Sequence, residues 1–170
     1  DVGKAQVAFV VAEVVAFAPT AIWSSPLDRA RVPAELAAAS SGVAHTIDER
    51  LSELDFGEAE GLTLEEAHAR GIRFDFRAED DPVAPGGESR RQVRERTAEV
   101  LDVALQCADR IAVVTHGGVF RSALVSLLSL PPDAIWAFHI QNADIAVVTV
   151  GEWGTPGAWG RLEEFRGARP

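Results

Sequence analysis

The apolar positions along the chain change period from one stretch to the next. Residues 4–17 run without glycine or proline, and their length predicts a buried helix. Gln6 and Glu13 stand seven apart and share one face of it, while the valines leave a strand as the alternative. The apolar run 5–18 is too short to span a bilayer. Ala21-Ile22-Trp23 reads as a short buried strand. Ser25-Pro26 then has the form of a helix start, with serine as N-cap and proline in the first helical position. A proline inside a helix costs ~3 kcal/mol, so Pro33 predicts a kink or a late start.

Farther along, Thr63-Leu64-Glu65-Glu66 fits a capping box. Residues 74–87 are polar and rich in Asp, Gly and Pro, and read as a loop. Ser89-Arg90-Arg91-Gln92 is a second capping box, and the helix after it places Val93, Val100, Leu101 and Ala104 on one face. The apolar run at 111–114 has the form of a central parallel strand. Gly117-Gly118 breaks it, and 119–128 reads as another helix. Two late strands, 145–150 and 159–165, are joined by a Gly/Pro-rich turn. Strands alternating with helices imply an α/β layered fold.

Composition narrows the function. The 170 residues suit one domain with one core, and 47% apolar with 25% charged residues is ordinary for a globular chain. The net charge of −10, from 16 basic and 26 acidic residues, argues against a nucleic-acid surface. An anionic small substrate stays compatible, because a few arginines can reverse the field inside one cleft. Cys107 is the only cysteine, so no internal disulfide forms, and it reads as a structural thiol near a helix end. No cluster of Cys and His has metal-ligand spacing. The absence of a signal peptide pattern favours the cytoplasm, and nothing in the pattern calls for a membrane partner.

Two places share one design. At Trp23-Ser24-Ser25-Pro26-Leu27-Asp28-Arg29-Ala30 a strand ends and a helix begins, with Arg29 in its first turn. At Val114-Thr115-His116-Gly117-Gly118-Val119-Phe120-Arg121 a strand ends in His-Gly-Gly and a helix begins. Open α/β sheets bind ligands at the carboxyl ends of their strands, and helix N-termini suit phosphate. Arg29 would add a bidentate charged donor. Taken singly, Arg29 is equally a solvated surface residue and His116 a hydrogen-bonded structural histidine. A third stretch, residues 48–63, is dense in carboxylates, and such a run is usually a solvated face. Within it, however, Glu53 and Phe56-Gly57 precede Glu60-Gly61 in a fixed relation.

With Ser-Pro-Leu-x-Arg-Ala before this stretch, Pro85-Gly86-Gly87-Glu88-Ser89 after it and Thr-His-Gly-Gly later, the chain resembles the phosphatase branch of the histidine phosphatase (phosphoglycerate mutase-like) superfamily. Each motif is weak alone; the ordered set, from about Gly3 to the late strands, is specific. The resemblance implies a three-layer α/β/α sandwich with a mostly parallel central sheet. It implies one domain over residues 1–170, with a short cap or loop insertion at 62–88. The activity implied is hydrolysis of small phosphate monoesters through a phosphohistidine, with no cofactor and no metal. A phosphoglycerate or phosphosugar mutase, or a non-catalytic phospho-ligand binding module, are the alternatives. A homo-oligomer is left open.

Residue by residue, the resemblance gives Arg29 a phosphate-binding role. His116 becomes the second pocket histidine, both phosphate-binding and catalytic, and Glu53 the acid that protonates the leaving oxygen. Asn142 falls on a recurrent family position. A protonated His116 and Arg29 would offset the phosphoryl charge, and a carboxyl group beside a bound dianion has its proton favoured. The family's Arg-His-Gly, which supplies the nucleophile at the end of the first strand, does not occur in these 170 residues. Residues 1–6 resemble the stretch that follows it. The resemblance therefore implies a domain lacking its first strand, with the nucleophilic histidine upstream of Asp1; a natural, catalytically dead form is the alternative. That strand lies beside 111–115 in the family, so 111–115 is expected to pair with 21–24 on one edge only. Ala59 replaces a usual aromatic residue and Pro33 a usual threonine, which affects local packing.

Overall fold

The computed structural model describes residues 2–168. Asp1, the first of the six residues read as following the absent motif, lies outside them. The apolar N-terminal stretch is helix α1 (Val2–Phe17), but none of its residues is buried, so the buried helix expected there is instead an outer helix that rests on the core through the partly buried Val11 and Val14. Strand β1 (Ala21–Ser24) leads into helix α2 (Asp28–Ser41) and strand β2 (Ala44–Ile47). After two 3-10 turns come helix α3 (Leu64–Ala69), helix α4 (Arg90–Cys107), strand β3 (Ile111–Val114), helix α5 (Gly117–Leu127) and strands β4 (Ile145–Gly151) and β5 (Trp159–Arg166).

Three short strands form a parallel sheet in the order β2-β1-β3. Its alternating side chains build two cores. Ala21, Trp23, Ile111 and Val113 point to the face covered by Val93, Val100 and Ala104 of α4 and Val119 of α5. Ile22, Ala112 and Val114 point to the other face, against Ala34, Ala37 and Ala38 of α2 and Val11 and Val14 of α1. Period-2 strands between period-3.6 helices thus give three layers, α1 and α2, the sheet, and α4 and α5. The alanine face of α2 lets that helix lie close on the sheet. Gly42 at φ 69° ends α2, its N–H donating to the Ala38 carbonyl at 2.8 Å.

Several sequence expectations hold. Both capping boxes form, Thr63 with Glu66 and Ser89 with Gln92. The loop at 74–87 is irregular apart from a bridge between Pro82 and Ser89. Others need correction. Helix α2 begins at Asp28 with Leu27 as N-cap, and the Ser25 hydroxyl accepts from the Leu27 N–H at 3.2 Å, closing a local turn before the helix. Pro33 sits buried inside α2 as its sixth residue, where only the Arg29 carbonyl loses a helical donor. Cys107 closes α4 but is exposed, so it does not pack as a structural thiol.

The strand at 111–114 is parallel and, as the family resemblance implies, is paired along one edge. It pairs with β1, Ala21 opposite Ile111 through Ser24 opposite Val114, and among the described residues no strand pairs with its other edge. The late strands form an antiparallel hairpin in a sheet of their own, with an irregularity at Val147/Val148, rather than joining the parallel sheet. Phe165 of β5 stacks on Phe120 of α5, with ring centroids 6.4 Å apart, and Arg166 pairs with Glu13 of α1 at 2.5 Å.

Candidate active site

The carboxyl ends of β1 and β3 lie side by side because the two strands run parallel in register. Ser25 follows β1 directly, and His116 follows β3 after Thr115. The His116 Nδ1 accepts from the Arg29 Nε at 3.0 Å, which leaves the ring proton on Nε2. Nε2 in turn donates to the Ser25 hydroxyl at 2.7 Å. Ser25 and His116 are buried, at 0% and 7% exposure, whereas Arg29 stands at the solvent edge. Among the described residues no acceptor pairs with the two Nη groups of Arg29, so its fork is open to an anion.

Burial, then the guanidiniums of Arg29 and Arg96, push the His116 imidazole down from 6.5 to about 4. Without a ligand the ring is therefore neutral at physiological pH. The protonated His116 expected beside a phosphoryl group therefore depends on that anion: a ring that accepts from one arginine and sits near another has, without it, nothing to hold a second proton.

Glu53 reaches the same corner from the connection after β2. Its Oε1 accepts from the Gly118 N–H at 3.2 Å, in the first turn of α5, and from its neighbour Leu54 N–H at 3.0 Å. A β-carbon on Gly118 would lie 2.6 Å from that oxygen, so only glycine leaves room for the carboxylate against the helix end. The connection is held from below. The Thr115 hydroxyl donates to the Leu51 carbonyl at 2.7 Å. Arg96 of α4 donates to the Arg50 carbonyl at 2.6 Å and the Glu53 carbonyl at 3.3 Å. The same guanidinium grips Glu88 with Nε at 2.8 Å and Nη2 at 2.9 Å. Glu88 also accepts from the Asp55 N–H at 3.0 Å.

Arg29, Glu53 and His116, chosen from the sequence, thus gather at one corner. Asn142 is exposed in the turn before β4 and is not bonded to them. Ser25 and Arg96 were missed. Ser25 had been read as a helix cap. Arg96 left a signal: it lies three residues after Val93 and four before Val100, a charge at the spacing of a core face.

A cavity of about 390 Å³ opens beside Glu53 and Gly117. It is lined by the apolar Leu54, Phe56, Phe76, Val93, Ile135 and Trp136, with Arg90 and Arg121 among them. The arrangement can hold an oxyanion at the Arg29–His116 end, deliver a proton from Glu53, and seat a larger body beyond.

Comparison with known proteins agrees with this layout. Residues 1–156 match the family model described as histidine phosphatase superfamily (branch 1). A glucosyl-3-phosphoglycerate phosphatase of Mycolicibacterium vanbaalenii is 36% identical over 145 residues, covering 78% of this chain and 64% of that protein. A putative phosphoserine phosphatase 2 of Hydrogenobacter thermophilus is 30% identical over 134 residues, covering 75% and 64%. The match spans less than two thirds of the length of these curated relatives. Among solved structures, a mycobacterial glucosyl-3-phosphoglycerate phosphatase superposes with a TM-score of 0.82 at 26% identity, covering 96% of this chain and 85% of that one.

Proposed function

Since the chain belongs to the histidine phosphatase superfamily, branch 1, we propose that the whole protein hydrolyses small phosphate monoesters through a phosphohistidine. The observation that carries this reading is the gathering of Arg29, His116 and Glu53 at the carboxyl ends of β1 and β3 and the N-terminus of α5. The nucleophilic imidazole is assigned to a strand seated on the open edge of β3, next to that corner. Such a strand would satisfy the backbone groups along that edge, which are costly to leave unpaired when buried.

In this mechanism the nucleophilic nitrogen attacks phosphorus while the ester P–O bond breaks. Glu53 gives its proton to the leaving alkoxide. Arg29 neutralises the equatorial oxygens through its open fork. His116 contributes its Nε2–H, and the arriving dianion favours a second proton on the ring. Water then attacks phosphorus as the P–N bond breaks and its electron pair returns to the imidazole nitrogen, Glu53 takes the water proton, and inorganic phosphate leaves. Exposed Phe76 and Trp136 border the cleft, which leaves water access for that second step and supports a phosphatase over a mutase. The surface of a −10 chain repels nucleic acid, and among the described residues no helix is long and apolar enough to cross a membrane. A free thiol at Cys107 accords with a cytoplasmic setting.

The test is leaving-group dependence. Glu53→Gln should lower turnover of alkyl phosphates by roughly 10²-fold or more, the scale of a lost general acid. It should cost far less with p-nitrophenyl phosphate, whose phenolate leaves without help. Equal losses on both would remove Glu53 from the acid role, and no phosphate release from any monoester would sink the phosphatase reading.

A further inference from the structure

The cavity beyond Glu53 has a composition that goes further than the phosphoryl chemistry. Its volume of about 390 Å³ is much more than the phosphoryl corner needs and falls in the ~300–1,000 Å³ range of pockets that enclose drug-sized ligands. Six side chains make its apolar lining: Leu54, Phe56, Phe76, Val93, Ile135 and Trp136. Two of them are unusually open for aromatic residues, Phe76 at 44% and Trp136 at 55% exposure. Large apolar surface facing a cleft calls for an occupant.

Both rings are held in place. Phe76 stacks on Phe74 with centroids 5.9 Å apart and meets Phe56 edge-on at 6.2 Å. The Arg90 guanidinium lies over the Trp136 ring, 5.5 Å from its centroid. These aromatic surfaces are therefore preorganised, so a ligand meets little ordering cost on their account.

Most of the polar lining groups, by contrast, are engaged. Glu53 Oε1 accepts from two backbone N–H groups. Arg121 donates to the Phe138 carbonyl at 3.0 Å and the Gly117 carbonyl at 3.1 Å. Arg90 is paired through Nη2 with Glu79 at 2.8 Å and Asp133 at 3.2 Å, while its buried Nη1 has no hydrogen-bond partner among the described residues. Ser122 is buried at 4% exposure. A polyhydroxylated leaving group would bring several hydroxyls into this space and find few free partners, and each unpaired one is costly.

Resting on the phosphatase reading, we propose that this cavity selects phosphate monoesters whose alcohol carries a flat, apolar body of about two fused rings, in contact with Trp136 and Phe76, over esters of small polyols. The phosphoryl group sits at the Arg29–His116 corner, the bridging oxygen faces Glu53, and the body extends toward Trp136. Trp136 and Phe76 are specificity residues in this scheme.

Non-hydrolysable phosphonates separate the pocket from the chemistry. Titration calorimetry on the whole protein compares 1-naphthylmethylphosphonic acid with 3,4-dihydroxybutylphosphonic acid. The naphthyl compound should bind at least roughly tenfold tighter, the scale of one well-made aromatic contact set. Trp136→Ala and Phe76→Ala, both exposed enough to leave the fold intact, should each erase most of that ratio. Equal affinities, tighter binding of the diol, or a ratio unchanged in both variants would overturn the proposal. Turnover of 1-naphthyl phosphate is read separately. Selective phosphonate binding without hydrolysis of any ester would keep this pocket assignment and defeat the phosphatase reading alone.

Discussion

His116 links the candidate site to stability in a way that can be measured without any substrate. In the fold the imidazole titrates at about 4, against 6.5 when free of the protein. The neutral ring is what the fold holds, buried at 7% exposure with Arg29 donating to Nδ1 and Nε2 donating to Ser25. As pH falls below 6.5 the unfolded chain takes up a proton that the folded chain refuses. Stability therefore drops between 6.5 and about 4, and the penalty is complete below that range. At about 1.4 kcal/mol per unit, the full penalty is about 3 kcal/mol. Between pH 7.5 and 5.0, where most carboxylates stay ionised, the same linkage gives a loss of about 2 kcal/mol.

The assay is urea unfolding at those two pH values for the wild type and for His116→Asn, which keeps a side chain that can donate to Ser25. The variant can be less stable at both pH values; the diagnostic is the change between them. The wild type should lose about 2 kcal/mol more than the variant. A saturating phosphate ligand should reverse part of the effect, because a dianion in the corner favours the imidazolium. If the two proteins lose the same stability to within about 0.5 kcal/mol, His116 is not held neutral and the account of the corner is wrong.

Two further outcomes follow from the support around Glu53. Gly118→Ala puts a β-carbon 2.6 Å from Glu53 Oε1, and a carboxylate tip can move, so the melting temperature should stay level or rise while turnover of alkyl phosphates falls by roughly 10²-fold. Arg96→Ala releases Glu88 and the Arg50 and Glu53 carbonyls together, which should cost about 3 kcal/mol in denaturant unfolding and raise amide exchange across residues 50–55; Arg96→Lys, lacking the fork, should recover only part.

The periodic elements were readable from the chain because their cause is local. A Gly- and Pro-free apolar run made α1, and each capping box closed on itself within four residues. The places where reading failed are those where a local group answered to a distant one. Ser25 has every local mark of a helix cap, yet its hydroxyl meets His116, 91 residues away, and α2 starts later. The pairing of β3 with β1 along one edge came from the ordered motifs and holds in the fold, whereas its apolar run alone could not tell edge from centre. Val-rich strands look alike at the centre or edge of a sheet, and position depends on which other strands are at hand.

The same distinction applies within the site. Arg29, Glu53 and His116 were found because ordered short motifs carry them, and motifs survive as text. Arg96 and Trp136 sit in no motif. Arg96 lies on the rim of the α4 core face, where its charge looks like surface; only the fold brings it under residues 50 and 53, more than forty positions away. Trp136 lies in a short 3-10 turn after α5, and its environment depends on Arg90, which comes from another helix. A phosphoryl corner must be nearly the same in every protein that binds the same oxygens, so its residues recur in fixed patterns. A leaving-group pocket answers to one substrate and is assembled from separate loops and helices. Chemistry can thus be legible in a sequence while specificity is not, and the Trp136 and Phe76 variants address the part that only the packed structure displays.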